Sequence, residues 1–342
     1  MSRIILPVLL LVAFTANLFL GSVYIAPERV WAIITGNVPF TEPDYYIVLQ
    51  RRLPAAIAAM TGGAALAVAG LLMQTAFRNP LAGPSIMGIN SGASLGVAIV
   101  TLVSGGALAA AGMQLSGQII IITAALAGSL AVMVLLIALS SILNNNLLLL
   151  ITAILIGYLI SSVITILNAS ATSQSLQNYV MWGMGSFQNV TAPRLPGFIM
   201  MVTVGFTLAA LLIKPLDALL LGDNYATNLG VNIRIVRSVL LLSTGILASA
   251  VTAYCGPIAF IGLSVPHIAR MFTGTDIHKR LLPATLLTGA VIALLCNIVC
   301  LAPLSGLIPG LSSSSTLPLN AVTPLFGVPV ILYVIIKVRN QQ

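Results

Sequence analysis

An all-α, polytopic membrane fold with about ten transmembrane helices, built as one domain over residues 1–342, is predicted by three observations. The chain is 59% hydrophobic and only 6% charged, which excludes an ordinary soluble domain. Apolar runs of about 20 residues, the length that crosses a bilayer as a helix, recur from end to end. Short polar or Gly/Pro-rich breaks separate them. The spans this predicts are roughly 4–24, 53–75, 88–108, 117–141, 147–168, 195–213, 238–255, 258–272, 281–302 and 322–338.

The first span follows Arg3. Its apolar run is too long for a signal peptide, and no clear small-residue cleavage site follows it. The second runs for 21 apolar or small residues, Leu53 to Met73, and ends at Arg78. Asn79-Pro80-Leu81-Ala82-Gly83-Pro84 then forms a turn. Pro80 stiffens it and Asn79 can bond freed backbone groups. A Gly/Ser-rich helix start, Gly88 to Ala93, opens the third span. On the fifth, Ser161, Thr165 and Asn168 share one face at i, i+4, i+7 spacing. Such groups either line a wet path or bond to neighbouring helices. The eighth span is short, and is expected to be tilted or shielded inside the bundle. Gly83-Pro84 before span three and Gly256-Pro257 before span eight form a weak internal echo. The spans before them run in opposite directions, as in an inverted repeat.

Between spans six and seven, residues 214–237 form the longest folded connector. Asp223 is expected to cap a short helix that Gly230 ends in a left-handed turn, and Asn232 to cap the next helix. Cys255, Cys296 and Cys300 lie in or beside apolar segments and read as packing residues, with no disulfide framework.

Charge sets orientation and excludes several functions. With the N-terminus inside and ten spans, Arg3, Arg78, Lys214, Arg234, Arg237, Arg270, Lys279, Arg280, Lys337 and Arg339 face the cytoplasm. Arg29, Arg51, Arg52 and Arg194 face outward, which obeys the positive-inside bias with both termini inside. The net charge of +8 is scattered rather than clustered, so nucleic acid is not an expected partner. There is no P-loop, no Gly-Lys pair and no H-E-x-x-H. All six acids fall in predicted loops, whereas an ion-coupled carrier usually keeps one inside the membrane. A secondary transporter or channel for a small solute is the rival reading, and an intramembrane enzyme a weaker one. No catalytic residue, cofactor or metal site is expected.

The segments Gln74 to Ala93, Gly256 to Arg270, Met181-Trp182-Gly183-Met184-Gly185-Ser186 and Leu317-Pro318 resemble the FecCD family of ABC importer permeases over roughly residues 4 to 338. The resemblance implies the vitamin-B12-importer fold in the inner membrane, no catalysis by this chain, and transport of a ferric siderophore, haem or a corrinoid. It implies three protein partners: a second copy, a dimer of ABC ATPase subunits, and a periplasmic binding protein. In such a permease the 214–237 loop, here with Asp223, Tyr225, Ala226, Leu229, Gly230 and Val231, docks on the ATPase. Asn79 and Leu81, with Asn145 and Asn146, would narrow the cytoplasmic gate. Ser161, Thr165 and Asn168 would border the path. Outer arginines, here Arg29, Arg51 and Arg52, would receive acidic residues of the binding protein. His267 belongs to a word shared by permeases of unrelated cargo, which points to a structural role. Three departures stand out: Ala55 where a second Arg is usual, Asn297 where Asp is frequent, and Thr316-Leu317-Pro318-Leu319-Asn320, preceded by the Ser312 to Ser315 insertion, where the family carries Glu-Leu-Pro-x-Gly.

Overall fold

The computed structural model describes residues 2–36, 39, 42–103, 115–143, 146–301 and 317–339. The fourteen helices named below are α1 (Ser2–Phe19), α2 (Pro27–Ile34), α3 (Pro43–Phe77), α4 (Ile89–Val103), α5 (Leu115–Ile142), α6 (Asn146–Ala169), α7 (Ser173–Gly183), α8 (Leu195–Leu211), α9 (Ile213–Leu220), α10 (Asp223–Asn228), α11 (Ile233–Cys255), α12 (Ile261–Thr273), α13 (His278–Leu301) and α14 (Leu319–Arg339). No strand occurs among the described residues. Six helices are long and apolar enough to cross a membrane: α3, α5, α6, α11, α13 and the stretch Ala192–Leu211 that contains α8. Three shorter apolar stretches lie in α1, α4 and α14. The described residues thus hold six helices of spanning length and apolarity, against about ten expected.

Helix α3 is the axis of the bundle. Residues Ala55 to Gln74 are almost all buried, and the helix is apolar on every side, as suits a span enclosed by others. Small side chains bring its neighbours close. A Cβ on Gly63 would lie 2.4 Å from the Gly289 carbonyl oxygen of α13, and one on Gly289 would lie 2.5 Å from that of Gly63. The α4–α5 pair repeats this: a Cβ on Gly92 would meet the Gly128 carbonyl oxygen at 2.5 Å. In a bilayer, where helices gain little from excluding water, such backbone approach supplies the packing energy.

Two helices begin within the bundle rather than at its ends. After α3 the chain turns back through Asn79–Gly88, and α4 starts with Gly88 at φ +73°. Its first turn meets α11, where the Thr252 hydroxyl donates to Asn90 Oδ1 at 3.0 Å. After α11, residues Gly256 to Phe260 leave helical geometry and α12 starts behind Phe260, a non-glycine residue at φ +67°. The first turn of α12 meets the Gly83-Pro84 segment: a Cβ on Gly262 would sit 3.0 Å from Pro84 Cδ. Irregular backbone at this depth is tolerated because protein, not lipid, surrounds it. The expected short eighth span is α12, 13 residues long.

The family departures near α13 and α14 have local explanations. Asn297 donates to Asn17 Oδ1 of α1 at 2.7 Å, and Asn17 donates to the Leu294 carbonyl at 3.1 Å. A neutral amide pair thus joins α1 to α13 where a carboxylate would need a counter-charge. Asn320 donates to the carbonyls of Gly183 and Pro257 and accepts from the Ala259 amide, tying three irregular segments to the start of α14. Ser312 to Ser315 and Thr316 lie outside the described residues.

Candidate functional site

All six acidic residues sit at the two ends of the bundle, one marked by Arg52 in the first part of α3 and the other by Arg78 just past its last residue. Glu28, Glu42 and Asp44 lie at the Arg52 end, and Asp217, Asp223 and Asp276 at the Arg78 end. The long apolar spans between carry no carboxylate.

At the Arg78 end, α3 stops where Arg78 adopts left-handed geometry, φ +46°. Asn79 Oδ1 then accepts from the Leu81 amide at 2.9 Å, the turn-closing bond its side chain was expected to make. Leu81 is exposed at the tip. Asn145, the second expected gate residue, lies outside the described residues, and so does the side chain of Asn146.

The connector between α8 and α11 folds as α9 and α10. Gly230 has φ +82° and Asn232 Oδ1 accepts from the Ile235 amide at 3.2 Å, as expected. Asp223 does not cap α10. It is the first residue of that helix, behind Gly222 at φ +116°, and its carboxylate pairs with Arg78 instead. Ala226 is fully buried, while Tyr225 and Leu229 stand exposed at 51% and 59%. Val231 packs at the edge of the core, its amide bonded to the Ala226 carbonyl at 3.0 Å. An apolar surface is thus presented on a small folded knob, not on a loose loop.

Several polar contacts at this end carry no signal in the one-dimensional pattern. His278 opens α13 with 1% exposure. Asp217 of α9 faces the His278 ring at 2.9 Å. Gln74 Oε1 accepts from Arg270 at 2.7 Å, and Arg270 also pairs with Asp276. His267 Nε2 lies 2.8 Å from the Pro80 carbonyl oxygen, which gives it the structural role expected for it. No cluster of metal-ligating side chains occurs among the described residues, and Cys255, Cys296 and Cys300 are buried free thiols.

At the Arg52 end the arginines separate into different environments. Arg52 is 7% exposed, and its guanidinium donates to the carbonyls of Leu18, Phe19 and Val23. It satisfies the free carbonyls at the end of α1. That burial corrects the expectation that Arg52 presents its charge to a docking protein. Arg29 pairs with Glu42 and lies 3.6 Å from Asp44. Arg51 is exposed, with its guanidinium 5.9 Å from the centroid of the Tyr46 ring. Nearby, Arg194, Tyr254, Trp182 and Gln118 line a cleft of about 330 Å³.

The polar face of α6 points away from the packed core. Ser161 and Thr165 are exposed, and their hydroxyls donate back to the Gly157 and Ser161 carbonyls at 2.9 Å. Asn168 is half-buried. Beside them Leu155, Tyr158, Leu159 and Ile166 are exposed.

A helical bundle with six helices of spanning length, two helices starting within it, and a small folded knob at one end defines a multi-pass membrane protein. Residues 9–337 match the model of the FecCD transport family. The chain belongs to that family and is a permease of a type II ABC importer. It is 30% identical to the vitamin B12 import system permease protein BtuC of Citrobacter koseri, covering 98% of this chain and 94% of the relative. It is 32% identical to that of Escherichia coli, again covering 98% and 94%. It also resembles a solved inward-facing conformation of a metal-chelate type ABC transporter, with a TM-score of 0.79 and 28% identity over 97% of both chains.

Proposed function

We propose that this chain is a non-catalytic, membrane-spanning subunit of the inner membrane that moves a corrinoid or a metal chelate inward, powered by a separate ATPase. The observation that carries the reading is the placement of polar groups. The centre of one chain is packed around α3, while Ser161 and Thr165 lie outside on α6. Among the described residues, the middle of one copy is filled by α3 and the helices packed on it. Two copies related by a two-fold axis, the commonest oligomer, can enclose a path between such faces. Cargo delivered from a binding protein at the Arg52 end then passes inward to the gate turn at Asn79 and Leu81. Arg51 is the exposed cation for docking, with the ion-paired, partly exposed Arg29 on the same end. Tyr225, Leu229 and Gly230 form the surface that meets the ATPase, with Ala226 and Val231 holding its shape. The absence of carboxylates along the spans favours this reading over an ion-coupled carrier.

Vitamin B12 is the first cargo to test, because the relatives that match almost full-length are named for its import. Proteoliposomes holding the permease, its ATPase and its binding protein should accumulate cyanocobalamin only with ATP inside the ATPase-facing compartment. Uptake of a ferric siderophore with no cobalamin uptake would assign the cargo to the metal-chelate class. ATP-independent uptake driven by an ion gradient would overturn the importer reading.

The ten-span topology comes from α1, α4, α12 and α14 joining the six clear spans, with both termini and the Arg78 end in the cytoplasm. Tyr24→Cys, at a residue 86% exposed at the Arg52 end, should react with a membrane-impermeant maleimide in intact spheroplasts. Ile277→Cys, at an exposed residue of the other end, should react only after permeabilisation. The opposite pattern would invert the orientation.

A further inference from the structure

We propose that His278 is a positioning residue that carries movement of the α9–α10 knob to the Asn79–Ala82 gate turn; the proposal rests on reading that knob as the ATPase-docking element. The ring joins three elements. Asp217 Oδ1 of α9 accepts from the His278 backbone amide at 2.6 Å and lies 2.9 Å from the ring Nδ1. On the ring's other side, Nε2 lies 2.9 Å from Thr75 Oγ1, in the last turn of α3. Two arrangements satisfy both ring contacts: Nδ1–H donates to the carboxylate while Nε2 accepts from the Thr75 hydroxyl, or both ring N–H groups donate and the Thr75 hydroxyl donates to the Leu71 carbonyl at 3.0 Å. The ring is enclosed, at 1% exposure, so it has no room to swing away when Asp217 shifts.

Thr75 is where a push on α3 reaches the gate. The Arg78 amide bonds the Thr75 carbonyl at 3.3 Å and the Asn79 amide bonds that of Gln74 at 3.2 Å, so the turn hangs from these two residues. The far side of the turn is held by α12. Gln74 Nε2 donates to the Leu263 carbonyl at 3.0 Å, Arg270 donates to Gln74 Oε1, and His267 bonds the Pro80 carbonyl. Movement entering through His278 therefore acts between a fixed grip on α12 and the turn itself. The Arg78–Asp223 pair also links knob and turn, but both side chains are about half exposed, where ion pairs contribute little. The enclosed, doubly bonded ring is the directional connection, of the contiguous kind that coupling between sites needs.

The test needs no cargo. Leu81→Cys reports the gate turn, against three buried native cysteines. In the assembled complex with its ATPase, maleimide modification of that cysteine should differ by about five-fold between the nucleotide-free and vanadate-trapped states, within the range that coupling networks span. Adding Thr75→Val removes the hydroxyl and keeps the shape. The state difference should then fall below about two-fold, while ATP hydrolysis stays within about two-fold of the parent and the ATPase still copurifies. Thr75→Ser should restore the difference. A Thr75→Val complex that keeps the full state difference would overturn the proposal, as would one in which ATP hydrolysis falls in step with it, since the contact would then be structural only. Failure of the underlying reading looks different: the Leu81→Cys parent itself would bind no ATPase or show no nucleotide dependence.

Discussion

Replacing Leu229 by Asp together with Gly230 by Val should abolish transport while the permease still inserts and dimerises. Leu229 is a large apolar side chain, 59% exposed on a knob whose neighbour Ala226 is fully buried. Its exposure has no folding purpose, so a charge there costs the fold little and removes an apolar contact from whatever docks. Gly230 stands at φ +82°, where a Cβ-bearing residue costs about 1–2 kcal/mol and a β-branched one more. Because the Val231 amide bonds back to Ala226, distortion at 230 spreads into α10. Loss of one interface hot spot weakens association by roughly thirty-fold. The measurement is copurification of the ATPase at equal permease yield, alongside ATP-driven uptake. A variant that retains both would show that the knob does not couple.

Gly63→Leu should have the largest effect on folding. A Cβ at 63 already falls 2.2 Å from Ala293 Cβ and 2.4 Å from the Gly289 carbonyl oxygen, both on α13. Neither neighbour is the free end of a flexible side chain, so relief requires α3 and α13 to separate. Overpacking of a core costs about 1–3 kcal/mol, and the demand for backbone movement puts this site at or above the upper limit. Loss of monodisperse protein and of thermal stability in detergent is expected. Gly183→Ala is the matched control, since nothing lies within 4 Å of a Cβ there. Equal stability of the two variants would mean that the α3–α13 contact is far looser than described.

Hydrophobic length located most of the helices because it answers to the bilayer, a solvent of fixed thickness. The predicted 53–75, 117–141, 147–168 and 281–302 correspond to helices observed over Leu53–Phe77, Leu115–Ile142, Asn146–Ala169 and His278–Leu301. Helices that do not cross the membrane escaped that reading. Pro27–Ile34, Ser173–Gly183 and Ile213–Leu220 are short, and their helicity depends on what they pack against. Local turn chemistry was legible at Asn79, Gly230 and Asn232, where the bond partner lies within three residues or the backbone demands glycine.

The amino-acid sequence by itself determined that this chain lives in a membrane, that it carries no P-loop motif, and, through its long family-like segments, that it is an importer permease. Each of these is a property of composition or of contiguous residues. Only the tertiary structure decided that Arg52 is turned inward to close the end of α1, that Asp223 pairs with Arg78 rather than capping its own helix, and that Asp217, His278 and Thr75 meet across three helices. The reason is that a long polar side chain in a low-dielectric bundle must find a partner, and its reach spans several candidates. Which one it takes depends on how helices far apart in the chain are brought together by the packing of their small residues, a choice that no local pattern encodes.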